Sequence, residues 1–209
     1  RETLYKTLDS LNTDYIDLFS LHWPDSNTPI EVSLNTLKVL QKEKLIRFWG
    51  VSNFSSDDIL NNLEKGALVP HQIHHNPINK KQHVLNAGNT DNTCINCAYS
   101  PFEQGLLSSS KSSNGINVLG KKDCRRRNVH FKNKDLIPWL KRWQDLYTSK
   151  SLNPQQVILN YLLQNPQVDA VITGARNTAQ LKQLLDFENL EKTSATLELF
   201  QFLDGVQEK

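Results

Sequence analysis

Tyr15-Ile16-Asp17-Leu18-Phe19-Ser20-Leu21-His22, stopped by Trp23-Pro24, is the stretch whose reading decides the fold. A nearly continuous apolar run of this length, closed by a breaker, reads as a strand buried inside a parallel sheet. Before it, Leu4, Leu8 and Leu11 share one helix face. After it, Thr28-Pro29-Ile30-Glu31 reads as a helix start, with Thr as N-cap, Pro in the first turn and Glu closing a capping box. Leu34, Leu37, Val39 and Leu40 form the apolar stripe of that helix.

The same alternation continues outward. Ile46–Val51 is the second strand, and Ser55 and Asp58 open a helix carrying Ile59, Leu60 and Leu63, with Gly66 as its C-cap. Strands follow at 69–75, 95–99 and 168–173. Helices are predicted over 136–147, after Asn153-Pro154, from Thr178 with Leu181, Leu184 and Leu185 inward, and over Leu197–Leu203. Strands alternating with helices specify an α/β fold with a parallel sheet. A dinucleotide fold of the open type needs G-x-G-x-x-G after its first strand. No two glycines here lie closer than five positions apart, which excludes it and favours a barrel. Five strands are fewer than the eight that close one. The whole of 1–209 reads as a single domain.

Composition excludes several classes. With 24 Lys+Arg against 22 Asp+Glu, the net charge of +2 carries no nucleic-acid signature. No apolar run approaches the roughly 20 residues of a membrane span. Cys94, Cys97 and Cys124 are odd in number, which suits a reducing cytoplasm better than a disulfide framework. The chain has no Met, so Arg1 is not a translation start and the chain is expected to be a fragment or processed product.

Strand ends carry the candidate site residues. His22 ends the first strand, where it either meets a ligand or bonds neighbouring backbone. Ser52 and Asn53 follow the second strand, where they serve either an amide ligand or a turn, and Gln72 lies near the end of the third with His74 on its face. Tyr99 ends the fourth strand, where its flat ring either stacks a planar ligand or packs in the core, and Ser100-Pro101-Phe102-Glu103-Gln104-Gly105-Leu106 either offers backbone N–H groups to a phosphate or is an ordinary turn. Gly174-Ala175-Arg176 leads into a helix N-terminus, which suits an anion.

Three patterns fail. Gly115–Lys122 spells G-x-x-x-x-G-K-K, with Lys where a P-loop needs Ser or Thr. Alternation splits Cys94 from Cys97, and likewise His71 and His75 from His74, between opposite faces, so no metal site is expected. The long irregular stretch Ser108–Lys134, with its basic residues from Lys121 onward, reads as a solvated or phosphate-contacting loop; with Phe131 as its one aromatic, no nucleic-acid partner is expected.

In order, Thr13–Leu18 running to His22-Trp23-Pro24-Asp25, Gly50-Val51-Ser52-Asn53-Phe54, Gln72, Tyr99-Ser100-Pro101 with Gly105-Leu106, and Ile172-Thr173-Gly174-Ala175-Arg176 with Gln180-Leu181 resemble the C-terminal two-thirds of an aldo-keto reductase. Asp123 with Arg125 or Arg126 is similar to the D-x-R element of its bacterial and potassium-channel-β-like branches. The resemblance implies a partial TIM (β/α)8 barrel, strands four to eight with their helices, belonging to an NADP(H)-dependent oxidoreductase that reduces a small aldehyde or ketone. It implies that His22 orients the carbonyl and that Ser52, Asn53 and Gln72 bind the nicotinamide carboxamide. Tyr99 stacks on the nicotinamide, Ser100, Pro101, Phe102, Gly105 and Leu106 follow the pyrophosphate, and Gly174, Ala175, Arg176 and Gln180 surround the adenosine 2′-phosphate and adenine.

The family's adenine-binding Glu-Asn pair falls on Gln183 and Leu184 here. Its catalytic Asp, Tyr and Lys come from earlier strands, so the chain by itself is expected to be inactive. A rival implication of the same resemblance is a non-catalytic nicotinamide-nucleotide-binding subunit of the channel-β type. Oligomeric state stays open, although apolar sheet edges at 15–22 and 168–173 invite pairing with another chain.

Overall fold

The computed structural model describes residues 1–89, 93–108, 117 and 119–206. Contacts divide the chain into two compact units, Arg1–Ile73 with Lys81–Cys97, and His74–Lys80 with Ala98–Lys209.

The first unit alternates α1 (Glu2–Leu11), β1 (Ile16–Leu21), α2 (Ile30–Lys42), β2 (Ile46–Ser52), α3 (Ser56–Asn62), β3 (Val69–His74), α4 (Gln82–Asn89) and β4 (Cys94–Tyr99), the last residues of β3 and β4 passing to the second unit. β1 and β2 pair in parallel from Ile16↔Ile46 to Leu21↔Val51, and β2 pairs in parallel with β3 through Val51↔His71 and Ser52↔Gln72. Leu4, Leu8, Leu34, Leu37, Leu40, Ile46, Val51, Ile59, Val69 and Ile73 are buried together as its core. Each such side chain contributes roughly 1.5–3 kcal/mol of hydrophobic stabilisation.

The second unit holds α5 (Val129–Lys132), α6 (Ile137–Ser149), α7 (Pro154–Leu163), β5 (Ala170–Ile172), α8 (Thr178–Leu185) and α9 (Ser194–Asp204), with short 3₁₀ turns at Glu103–Gly105 and Cys124–Arg127. The five strands are ordered β1-β2-β3-β4-β5 in one sheet, the order of the chain. The core of the second unit gathers Leu106, Leu107, Leu140, Trp143, Ile158, Leu162, Leu199 and Leu203. Trp143 is wholly buried, and its indole N–H donates to the Leu107 oxygen at 2.9 Å. That bond removes the cost of burying an unpaired donor.

All five strands fall where the sequence predicts them, but several local expectations give way. Thr28 is not a cap: its hydroxyl donates to Asp25 at 2.8 Å, and α2 begins after Pro29 with no side-chain cap. Val39 is 44% exposed, so the stripe of α2 reduces to Leu34, Leu37 and Leu40. At α3 the capping box of Ser55 and Asp58 does form. Its C-cap is Leu63, and Gly66 takes a left-handed φ of +77° in the following turn instead. On α8 Leu184 is buried while Leu181 and Leu185 are exposed. No residue of β1 is fully buried, because a strand at the end of the order has one neighbour. α4 is not predicted from the sequence. Residues 109–113 of the serine run and residues 115, 116 and 118 of the P-loop-like pattern lie outside the described residues.

Candidate functional site

In the first unit, parallel pairing carries the ends of β1, β2 and β3 to one rim. Asn53 holds that rim together. Its carboxamide donates to the His22 main-chain oxygen and to Ser52 Oγ, both at 3.0 Å, and its N–H donates to the Gln72 oxygen at 2.9 Å. Ser52, buried, donates from its hydroxyl to that same Gln72 oxygen at 3.1 Å. Asn53 adopts a left-handed φ of +63°, which Asn tolerates better than most residues. His22 is exposed, its ring 6.2 Å from that of Trp23. Four of the sequence-derived residues, His22, Ser52, Asn53 and Gln72, are thus one hydrogen-bonded group.

In the second unit an open cleft of about 980 Å³ is bordered by Tyr99, Ser100, Pro101, Phe102, Gly105, Gly174, Arg176 and Gln180. These come from segments some seventy residues apart in sequence. Leu106 is fully buried in the core, and Ala175 does not border the cleft. Gln183 is exposed and Leu184 buried, and neither borders it. Gln155 has no signal in the sequence; Gln104, Ile172 and Thr173 stand in the quoted motifs, and Ser108 and Cys124 in the loop after them, without a site role of their own, while Arg125 is visible in the D-x-R pattern.

The turn after Tyr99 has a conformation few sequences tolerate. Ser100, Glu103, Gln104 and Gly105 all have positive φ, at +54°, +45°, +54° and +92°. For the three non-glycine residues this costs about 1–3 kcal/mol each and persists only where their surroundings over-determine it, whereas Gly105 adopts it freely. The N–H groups of Glu103, Gly105, Leu106, Leu107 and Ser108 close the turn on its own carbonyls. Of the donors predicted to serve a phosphate, the N–H groups of Glu103, Gly105 and Leu106 are engaged within the turn, and Arg125 and Arg176 bring positive charge to the cleft. Arg125 is held by Asp123, which accepts from Nη2 at 2.7 Å and from Nε at 3.0 Å. The Arg125 hydrogen bonds hold the Asp123 carboxyl down at about 2, with the charges of Arg125 and Arg176 adding to the effect. Across α8's first turn, Gln180 Oε1 accepts from the Arg176 N–H at 2.8 Å, and Asn177 caps the helix through the Gln180 N–H at 2.9 Å.

Beside the cleft lies a polar cluster with no sequence signal beyond the face that His74 shares with Gln72. Glu103 is wholly buried. Burial pushes its carboxyl up, but hydrogen bonds from His74, Asn128 and Asn76 outweigh this and hold it below the ordinary range. His74 Nε2 lies 2.8 Å from Oε2, and Asn76 donates to the same oxygen at 2.6 Å. Asn128 donates to Oε1 while capping α5. Among the described residues no three His, Cys, Asp or Glu side chains converge on a metal position, and no helix is long and apolar enough to cross a membrane.

The chain belongs to the aldo/keto reductase family, whose profile matches residues 1–202. It is 26% identical, over its whole length, to 65% of the NADH-specific methylglyoxal reductase of Escherichia coli K12. It is 30% identical over 88% of its length to 56% of the aldo-keto reductase YhdN of Bacillus subtilis 168. The L-glyceraldehyde 3-phosphate reductase of E. coli K12 is 28% identical over 95% of this chain and 60% of that protein. The chain therefore spans about six-tenths of the length of these relatives. Its parallel α/β architecture is similar to the crystal structure of a thermostable aldo-keto reductase bound to the inhibitor epalrestat. The TM-score is 0.69 at 23% identity, covering 99% of this chain and 65% of that one.

Proposed function

We propose that these 209 residues are one domain, strands four to eight of a reductase barrel, and that they supply the nicotinamide-nucleotide site of a cytoplasmic enzyme reducing small aldehydes or ketones with NADP(H). The carrying observation is the composition of the cleft: the aromatic rings of Tyr99 and Phe102, two guanidinium groups, and the glycines Gly105 and Gly174. That donor set fits a dinucleotide, because a flat heteroaromatic ring needs a stacking face and phosphates need fixed cations. Tyr99 takes the nicotinamide face. Ser100, Pro101, Phe102 and Gly105, with Leu106 beneath them in the core, follow the pyrophosphate beside Arg125. Gly174, Arg176 and Gln180 hold the adenosine end, with Ala175 joining the first two from outside the cleft, and Arg176 favours a 2′-phosphate. Ser52, Asn53 and Gln72 bind the carboxamide, and exposed His22 orients the carbonyl. A bound nicotinamide nucleotide supplies the hydride.

Reduction also needs an acid for the developing alkoxide, and positioned acids contribute about 10²–10⁴-fold. A phenol serving that role at neutral pH requires a lowered pKa. Burial instead pushes Tyr147 up, and burial together with the Asp204 hydrogen bond pushes Tyr161 up. Neither ring suits that role, and our reading places the acid in the part of the relatives that this chain does not span, so that the chain alone binds cofactor without turnover.

The test is a titration of NADPH and NADH by their own fluorescence, followed by absorbance at 340 nm with a reactive aldehyde. Tighter NADPH binding without turnover by the 209-residue chain is the expected result. Turnover by this chain contradicts the placement of the acid. Because one relative is NADH-specific by name, tighter NADH binding reassigns Arg176.

A further inference from the structure

The Tyr99 ring borders the cleft, and one of its faces lies on His74, with ring centroids 5.2 Å apart and planes within 13°. His74 is itself pinned at both nitrogens. Nε2 meets the Glu103 carboxylate at 2.8 Å, and Nδ1 meets the Asn79 carboxamide at 2.8 Å. The neutral tautomer with hydrogen on Nε2 satisfies both, donating to Glu103 and accepting from Asn79. Glu103 is in turn fixed by Asn76, which also donates to the Ser100 oxygen at 3.0 Å, and by Asn128. Burying a carboxylate costs more desolvation than burying an apolar side chain, and here that cost is offset by donors that fix Glu103 in one geometry.

We propose that Glu103 and His74 are positioning residues for Tyr99: the carboxylate fixes the imidazole, the imidazole backs the phenol ring, and that backing sets the plane on which a planar heteroaromatic ring is held in the cleft. The inference rests on the dinucleotide reading given above and adds two residues to it that touch neither ligand nor reacting atoms. The arrangement is a three-layer stack, imidazole, phenol and bound ring, whose lowest layer is anchored by a charge. Offset aromatic stacking of this kind is sensitive to tilt and offset. A Tyr99 ring free to tilt loses contact with the nicotinamide end while leaving the adenosine end, held by other residues, undisturbed.

The test uses the intact chain and two probes, NADPH and adenosine 2′,5′-bisphosphate, titrated by calorimetry into wild type, Glu103→Gln, His74→Ala and His74→Phe. Circular dichroism checks folding, and Glu103→Gln is the isosteric variant that keeps shape if the others misfold. Glu103→Gln and His74→Ala are expected to weaken NADPH by about fivefold to tenfold, with the bisphosphate changed by less than about twofold. His74→Phe, which restores a planar backing, is expected to recover most of the NADPH affinity. Equal losses for both probes indicate general structural damage and overturn the proposal, as does unchanged NADPH affinity in Glu103→Gln and His74→Ala. A wild-type chain that binds neither probe overturns the dinucleotide reading and this inference together, whereas unaffected variants overturn this inference alone.

Discussion

The Asn53 carboxamide donates to the main-chain oxygen of His22 at 3.0 Å, so the end of β2 fixes the end of β1. Asn53 does this from a left-handed backbone, and the two demands separate by mutation. Asn53→Gly keeps the φ and loses the hydrogen bonds, while Asn53→Ala loses both. Chemical denaturation is expected to show Asn53→Gly destabilised by about 1–2 kcal/mol and Asn53→Ala by roughly 1 kcal/mol more. Equal stabilities would remove backbone strain from the account.

Arg125 and Arg176 border one cleft but have different supports. Arg125 is clamped by Asp123, and its guanidinium lies 5.8 Å over the Phe131 ring. Charge-assisted hydrogen bonds are worth about 1.5–3 kcal/mol. Arg125→Ala is therefore expected to weaken NADPH and NADH alike by about tenfold or more. Arg176→Ala is expected to weaken NADPH selectively, narrowing the ratio between the two cofactors. Binding isotherms for both nucleotides check this, and a uniform loss in Arg176→Ala would move the 2′-phosphate elsewhere.

Acid sensitivity follows from two buried imidazoles. Burial lowers His71 from 6.5 to about 4, opposed by Asn96. Burial, with repulsion from Lys80 and, once it is protonated, from His74, lowers His75 to about 4 as well. Unfolded, both histidines protonate near 6.5, so between pH 6.5 and about 4 the unfolded chain holds more protons than the folded one. Their stabilising contribution is thus complete above pH 6.5, declines as pH falls, and is lost by about pH 4. Urea midpoints measured across that window are expected to fall steadily, with a shallower slope in His71→Gln. A flat profile in wild type would place both rings in contact with water.

Gly50 lies on β2 opposite Ser20 of β1, with Pro70 of β3 close by. A Cβ there would stand 2.7 Å from the Pro70 oxygen and 2.9 Å from Ser20 Oγ. Backbone cannot yield as a flexible side chain does, so Gly50→Ala is expected to cost about 1–3 kcal/mol. Thermal unfolding checks it, with Gly120→Ala as control because no atom lies within 4 Å of a Cβ at that position.

The strands were legible because each is an apolar run ended by a breaker, as at Leu21 before Trp23-Pro24. α4 was not. Its apolar residues Val84, Leu85 and Ala87 are diluted by Asn86, Gly88 and Asn89, and it is supported by packing that the sequence does not display. A Cβ on Gly88 would come within 2.8 Å of the Cys94 Cβ, so the helix lies close against the strand. Thr28 misled because a hydroxyl before Pro looks like a cap, while Asp25 three residues earlier competes for it. At the candidate site, Tyr99, Arg176 and their neighbours in the cleft are legible through ordered motifs, whereas Gln155 and the anchoring role of Glu103 are not. A carboxylate in a turn reads as solvated until Asn128, 25 residues on, is folded over it.

The four tryptophans fall two to each compact unit, Trp23 and Trp49 in one, Trp139 and Trp143 in the other. Trp23 is exposed and Trp143 sealed, with Trp139 stacked on Phe202 at 5.1 Å. Trp49 and Trp139 are both half-buried, so the contrast in colour rests on Trp23 and Trp143: loss of the bluest emission on melting reports that the second unit has opened around Trp143.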